Sequence, residues 1–338
     1  MTKWYQLSGT ENDIAICTKV SLARNLRDFN FTINLDNDEK HRIAELTENV
    51  LEEQLPGKFI AEDMGSLSRF EAISLAERYL VSPEFVSSAA GRTFMSTADE
   101  SLSIMVCEED HLKIQAILPG LELEKAHQLA DRLDTMLDES LHFAFDRKLG
   151  YLTQCPGNIG TAMRASVMLQ LPALRMYGRI QHLSTTVGKL GLVLTGAYGE
   201  GDNPVGSLYQ LSNQVTLGIS EKAALNNLNS LVLSILEQER ECRRDLINNL
   251  RFQDLMWRSY GTLKNARVMS FCEFMDAVAI VKIGVAAGEI NIPMARINEM
   301  IFTLQPATIN MEFGMSLDRQ VRDAKRAELI REVFTLNY

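Results

Sequence analysis

Residues Gly150–Leu171 read GYLTQCPGNIGTAMRASVMLQL, and the rest of the chain is read outward from them. Pro156, Gly157 and Gly160 interrupt an otherwise apolar stretch, which predicts a strand, a tight loop and a second strand. Val167, Leu169 and Leu171 alternate along the second arm, as a half-buried strand requires. Cys155 opens the loop and Arg164 closes it. A guanidinium at the lip of a strand beside a glycine loop suits an anion, because small residues let backbone N–H groups approach phosphate. The plainer alternative is a hairpin carrying one surface arginine.

The chain has 338 residues, 46% of them hydrophobic and 23% charged. That length predicts one large domain plus a smaller one. A net charge of −10 disfavours generic binding to nucleic acid or to an anionic membrane. Five scattered cysteines with no CxxC pair fit reduced, cytoplasmic thiols and offer no metal site. The opening MTKWYQLSGTEND lacks the apolar core of a signal peptide. The apolar run Ala277–Ala287 contains Lys282 and is too short to span a bilayer.

In chain order, helices are expected over Asp38–Gln54, stopped by Pro56-Gly57, and over Leu67–Leu80, stopped by Ser82-Pro83. Tyr79 at the second helix end is either a half-buried tyrosine or a ring that stacks on a base. Leu102–Cys107 and Leu112–Leu118 read as strands around Glu108-Glu109-Asp110-His111. Three acids at a strand end are ordinarily a solvated turn. Leu121–Phe145 reads as an amphipathic helix covering a sheet. A helix over Ala173–Lys189 and strands over Gly191–Thr195 and Ser207–Leu217 follow. Ser220 is an expected N-cap for a helix reaching about Leu250, and beyond about Leu246 the pattern is all helical. Near the end, Arg322 and Arg326 lie four apart, on one helix face. They form either a solvated basic face or a site whose repulsion an anion relieves.

Four segments share a wording with one family: Thr18–Asn25 (TKVSLARN), Cys107–Gln115 (CEEDHLKIQ), the CPGNIGTAMRASV segment and Thr195–Gly201 (TGAYGEG). They resemble the S-S-R-[IV]-R-L-A-R-N, NEEDH-[IL]-R-I, CPTN…GT…RAS and R-G-x-Y-G-E-G segments of the ATP:guanido phosphotransferases. Arg322–Ala327 (RDAKRA) matches the RDxxRA motif of the bacterial protein-arginine kinases within that family. The resemblance implies an α+β fold: an antiparallel sheet flanked by helices, with residues 1–85 as a helical N-terminal part of the phosphotransferase domain. Residues 86–245 would be the sheet-bearing catalytic part and 246–338 a helical C-terminal domain.

It also implies roles. Glu109 would orient and deprotonate the guanidinium, beside Glu108 and Cys155. A guanidinium has a pKa above about 12 and is a poor nucleophile while protonated. ATP with Mg²⁺ would lie along Thr18, Lys19, Val20 and Ser21, Tyr79, Lys113, Arg164, Ala165, Ser166, Val167 and Met168, and Thr195, Gly196, Ala197, Tyr198, Gly199 and Glu200. Arg322, Asp323, Arg326 and Ala327 would bind phosphoarginine. Arg24 and Asn25 read as structural. Implied partners are protein substrates or phosphoarginine-bearing proteins, an activator protein and a Clp-type protease, with a homodimer through the C-terminal domain.

The phosphate clamp departs from the pattern. The family's five phosphate-binding arginines fall on Lys19, Ser21, Lys113, Arg164 and Thr195, so one arginine remains. Lysine neutralises charge but lacks the two-pronged planar fork. One such arginine is worth roughly 10³–10⁵ in rate. Two neutral replacements would then remove on the order of 8 kcal/mol if additive, which residues acting as a unit need not be. Two readings follow: a weakened protein-arginine kinase, and an inactive homologue that binds phosphoarginine and regulates a Clp-type quality-control system.

Overall fold

The computed structural model describes residues 1–197 and 204–335. Its centre is an eight-stranded antiparallel sheet in the order β2-β3-β4-β5-β1-β8-β10-β9. These strands are β1 (Ala15–Arg24), β2 (Phe59–Asp63), β3 (Thr93–Thr97), β4 (Leu102–Val106), β5 (Leu112–Pro119), β8 (Met163–Gln170), β9 (Leu192–Gly196) and β10 (Leu208–Asn213). The ribbon β6 (Phe145–Asp146) and β7 (Gly150–Tyr151) stands apart from it. The first arm of the central stretch is thus only two residues long. The second arm is β8, inside the sheet between β1 and β10.

Helices take the intervening chain: α1 (Asn37–Gln54), α2 (Arg69–Glu77), α3 (Pro83–Ser87), α4 (Leu123–Leu141), α5 (Pro172–Met176), α6 (Ile180–Gly188) and α7 (Glu221–Ile247). Five more complete the C-terminal part: α8 (Leu250–Asn265), α9 (Phe271–Ala286), α10 (Met294–Thr303), α11 (Pro306–Glu312) and α12 (Arg319–Thr335). Side-chain caps fix several starts. Asp36 with Glu39, and Ser68 with Glu71, form reciprocal capping boxes, and Ser220 caps α7. Several expected helices end early where the chain turns left-handed. Tyr79 (φ 69°), His142 (φ 54°) and Gly178 (φ 66°) close α2, close α4 and split α5 from α6.

Within residues 1–85, two strands join the expected helices, and β1 pairs with both β5 and β8 at the middle of the sheet. One sheet face carries Val20, Leu22, Ile114, Ala116, Ala165, Val167 and Leu211, all buried. It is covered by α4, which packs on β1 and β5, and by α7, which packs on β8 and β10. α4 turns Leu123, Ala126, Ala130, Leu133 and Leu137 inward, the three-and-four spacing of an amphipathic helix. The C-terminal helices close back onto the N-terminal part, α11 against α2 and α10 against the turn at Trp4–Gln6. Among the described residues, no helix is long and apolar enough to cross a membrane.

Candidate active site

The other face of the sheet is polar. Residues paired across antiparallel strands point to the same side, and the registers run Ala23↔Lys113, Ser21↔Arg164, Lys19↔Ser166, Ser166↔Ser212, Gln210↔Met168 and Gln210↔Thr195. Lys19, Ser21, Lys113, Arg164, Ser166, Met168 and Thr195 therefore share one face with Gln210 and Ser212 of β10, across five strands. Thr18, Val20, Ala165 and Val167 alternate with them and point beneath the helices. Strand period two removes those four side chains from any ligand on the polar face. Gly196 ends β9 and Ala197 follows it, whereas Tyr198, Gly199 and Glu200 lie outside the described residues.

The three acids after β4 do three different things. Asp110 is buried and accepts from Asn25 Nδ2 (2.6 Å) and from the Gln154 backbone N–H (2.7 Å), tying the loop before Cys155 to β1. Glu108 pairs with Lys113 Nζ at 2.8 Å and accepts from the Ser82 hydroxyl. Burial alone would raise its pKa. The Lys113 charge and the hydrogen bonds from Lys113 and Ser82 outweigh that and hold the carboxyl below the ordinary glutamate range. Glu109 is exposed at the rim of a cavity of about 210 Å³ lined also by Ser21, Glu108, Lys113, Asn158 and Arg164. Partial desolvation, then the charges of Asp110 and Glu108, raise its pKa.

Asn158 joins this acid to the arginine. Its Oδ1 accepts from Arg164 Nη2 (2.9 Å) and Nε (3.3 Å), while its Nδ2 donates to Glu109 Oε2 (3.4 Å). Arg164 Nη1 also donates to the Asn213 carbonyl at 2.8 Å. Cys155 is half-buried in the same loop, and its carbonyl accepts from the Asn158 N–H. Arg24 and Asn25 are structural. Arg24 pairs with Asp134 at 2.8 Å beneath the sheet, and Asn25 holds Asp110 and His111.

Sequence reasoning missed the strap that follows α2. Lys19 Nζ sits 3.6 Å from the Tyr79 ring centroid, and the Tyr79 hydroxyl meets Gln210. The Leu80 carbonyl accepts from Gln115 Nε2 at 2.6 Å, and Ser82 reaches Glu108. Residues Tyr79–Ser82 thus wall the polar face. Enclosure by this wall, and then the Lys113 charge, lower the Lys19 pKa to about 8. The left-handed turn at Tyr79 was the signal that could not be read from spacing.

At the other end of the molecule Arg326 is buried. Its Nε donates to the Leu304 carbonyl (2.7 Å), its Nη1 to the Met269 carbonyl (3.0 Å) and to Asp323, and its Nη2 has no partner among the described residues. Arg322 Nε is likewise buried without a hydrogen bond. Ala327 is packed in the core. The Arg322–Arg326 repulsion is relieved in part by Asp323 between them.

Comparisons with known proteins agree in kind. Residues 40–242 match the family described as ATP:guanido phosphotransferase, C-terminal catalytic domain. Residues 249–337 match the protein-arginine kinase McsB C-terminal domain. The chain is 38% identical to the protein-arginine kinase of Geobacillus sp. (strain WCH70), over 98% of this chain and 93% of that protein. It is 40% identical to the protein-arginine kinase of Desulforamulus reducens, over 98% and 95%. Among solved structures, lombricine kinase superposes with a TM-score of 0.60 at 20% identity, covering 69% of this chain and 68% of that one, a likeness of fold.

Proposed function

Because the chain belongs to the ATP:guanido phosphotransferase family, on its protein-arginine kinase branch, we propose that it transfers the γ-phosphoryl group of ATP to arginine side chains of proteins, slowly, through a depleted phosphate clamp. The observation that supports this is the single polar face on which Lys19, Ser21, Lys113, Arg164 and Thr195 gather, with Glu109 at the rim of the adjoining cavity. Glu109 accepts a proton from the substrate guanidinium and orients it. The freed nitrogen then forms the N–P bond as the bond from the γ-phosphorus to the ADP oxygen breaks. Its raised pKa suits a base better than that of Glu108, whose carboxylate is committed to Lys113. Arg164, held by Asn158, is the main phosphate contact, with Lys19 and Lys113 as auxiliaries and Cys155 beside the guanidinium. Tyr79, Ser166, Met168 and the end of β9 wall the nucleotide. Mg²⁺ arrives with the nucleotide and neutralises part of the charge that the missing arginines would have met.

A second reading is favoured by specific observations. Ser21 and Thr195 carry no charge and Lys113 is already paired, while Arg322 and Arg326 each keep a buried, unmatched N–H group. On that reading the chain is an inactive homologue that binds phosphoarginine-bearing proteins, in the cytoplasm, with an activator protein and a Clp-type protease. Residues 246–338 would then serve as the binding and dimerisation domain.

One experiment separates them. Purified protein, MgATP and an arginine-rich protein are incubated and read for acid-labile phosphate. Product that disappears in Glu109→Gln supports the kinase. No product and no ATP-dependent rise in melting temperature eliminates it, and micromolar phosphoarginine binding lost in Arg322→Ala would then establish the second reading. Arginines restored at Lys19, Ser21, Lys113 and Thr195 should recover nucleotide binding if only the clamp was lost.

A further inference from the structure

We propose that His127, Asp131 and Glu221 form a divalent transition-metal site, of the kind zinc occupies, which staples α4 to α7 behind the sheet. His127 and Asp131 are four residues apart on α4, the spacing that puts two ligands on one helix face. Glu221 comes from the first turn of α7. The ligand atoms of the three residues lie within 4.8 Å of one another, and His127 Nε2 is 2.6 Å from Glu221 Oε2. Bond lengths of about 2.0–2.2 Å to zinc place tetrahedral ligands roughly 3.3 Å apart, a spacing that lies between the 2.6 Å of the His127–Glu221 contact and the 4.8 Å that bounds the triad. One imidazole and two carboxylates are a borderline-to-hard donor set that suits zinc, cobalt or manganese.

A metal would take the place of the proton that His127 shares with Glu221. Two carboxylates converge here, with Asp134 further along the same helix also acting on His127. Among the described residues, the exposed Asp131 side chain makes no hydrogen bond or ion pair. Of the lysines that line the adjoining cavity, Lys125 is engaged with Glu122 at 2.7 Å, and Lys222 follows Glu221 on α7. Of the three ligands, His127 lines a cavity of about 630 Å³ between the two helices, together with Gln128, Lys222 and Asn226. It supplies an entry path and room for the water that completes a three-ligand site. Neither residue of α4 belongs to the polar face of the sheet, so this site is separate from phosphoryl transfer.

The test is titration of the full chain with zinc, followed by calorimetry and melting temperature, and with cobalt, followed by visible absorption. One ion per chain is expected, with a rise in melting temperature and a cobalt spectrum free of thiolate charge-transfer bands. His127→Gln and Asp131→Asn should each weaken binding roughly tenfold or more, with the metal-free melting temperature unchanged. Asp131 is exposed, so its variant keeps the test valid should the His127 change disturb folding. No saturable binding, binding that both variants retain, or a thiolate spectrum traceable to Cys272 would overturn the proposal. None of these readouts involves ATP, so they leave the kinase reading to its own assay.

Discussion

Lys113 Nζ lies 2.8 Å from Glu108 Oε2, so the lysine that stands on the polar face is neutralised before any phosphate arrives. Glu108→Gln removes that competition while an amide oxygen still accepts from Ser82. Nucleotide affinity measured by calorimetry should rise several-fold, because a freed ammonium gains a charge-assisted contact. Turnover should rise less, since a point charge does not reproduce the arginine fork. An affinity that stays flat would mean that phosphate never reaches Lys113.

Glu109 should behave in the opposite way in stability and in rate. Its pKa is raised by desolvation and by Asp110 and Glu108. A carboxyl whose folded pKa is raised stabilises the fold while protonated, and that contribution disappears as pH climbs through the folded value. At neutral pH the ionised group is therefore slightly unfavourable, and Glu109→Gln should be no less stable than the parent. The same change should lower phosphoryl transfer roughly 10²–10⁴-fold. In the parent, the acid limb of the rate profile should fall above the ordinary glutamate range.

Lys19 gives a pH dependence at the other end. Its pKa is lowered to about 8 by burial against Tyr79 and by the Lys113 charge. For a lysine with a depressed folded pKa, the stability contribution is full above its unfolded pKa and is lost as pH falls through about 8. Nucleotide binding should run the other way. The neutral amine cannot meet phosphate, so ATP affinity should decline as pH rises past about 8. Lys19→Arg should flatten that decline, because a guanidinium stays charged. Calorimetric titration across this range reads both.

The central strand, the acid turn and the long helices were legible because each rests on local pattern. β8 alternates, Ser220 caps α7, and Leu123 to Leu137 repeat at helical spacing. The edge strand β2 and its neighbour β3 were not legible. Phe59–Asp63 is half-exposed, with polar and apolar residues on both sides, so no period of two stands out. Which of Glu108, Glu109 and Asp110 is free was equally hidden. That depends on Lys113 and Ser82 for the first and on Asn25 and Gln154 for the last, partners set by strand register and by a left-handed turn. Sharing of one face by residues of five strands is a property of pairing, which no single strand encodes.

Arg322 and Arg326 share a helix face but not a job, and separating them tests the phosphoarginine reading. Arg326 holds two backbone carbonyls, those of Leu304 and Met269, and pairs with Asp323 out of solvent. Arg326→Ala leaves both carbonyls and a carboxylate without their partner, and should cost about 3–5 kcal/mol in denaturant unfolding. Any loss of phosphoarginine binding in that variant would be confounded by loss of the fold. Arg322 is only half-buried and its Nε has no hydrogen bond, so Arg322→Ala should change stability by no more than about 1 kcal/mol. If the motif reads phosphoarginine, that variant should lose binding while its unfolding curve stays in place. A folded Arg322→Ala protein that still binds phosphoarginine with unchanged affinity would show that RDAKRA is here an anchor for the C-terminal helices and not a receptor.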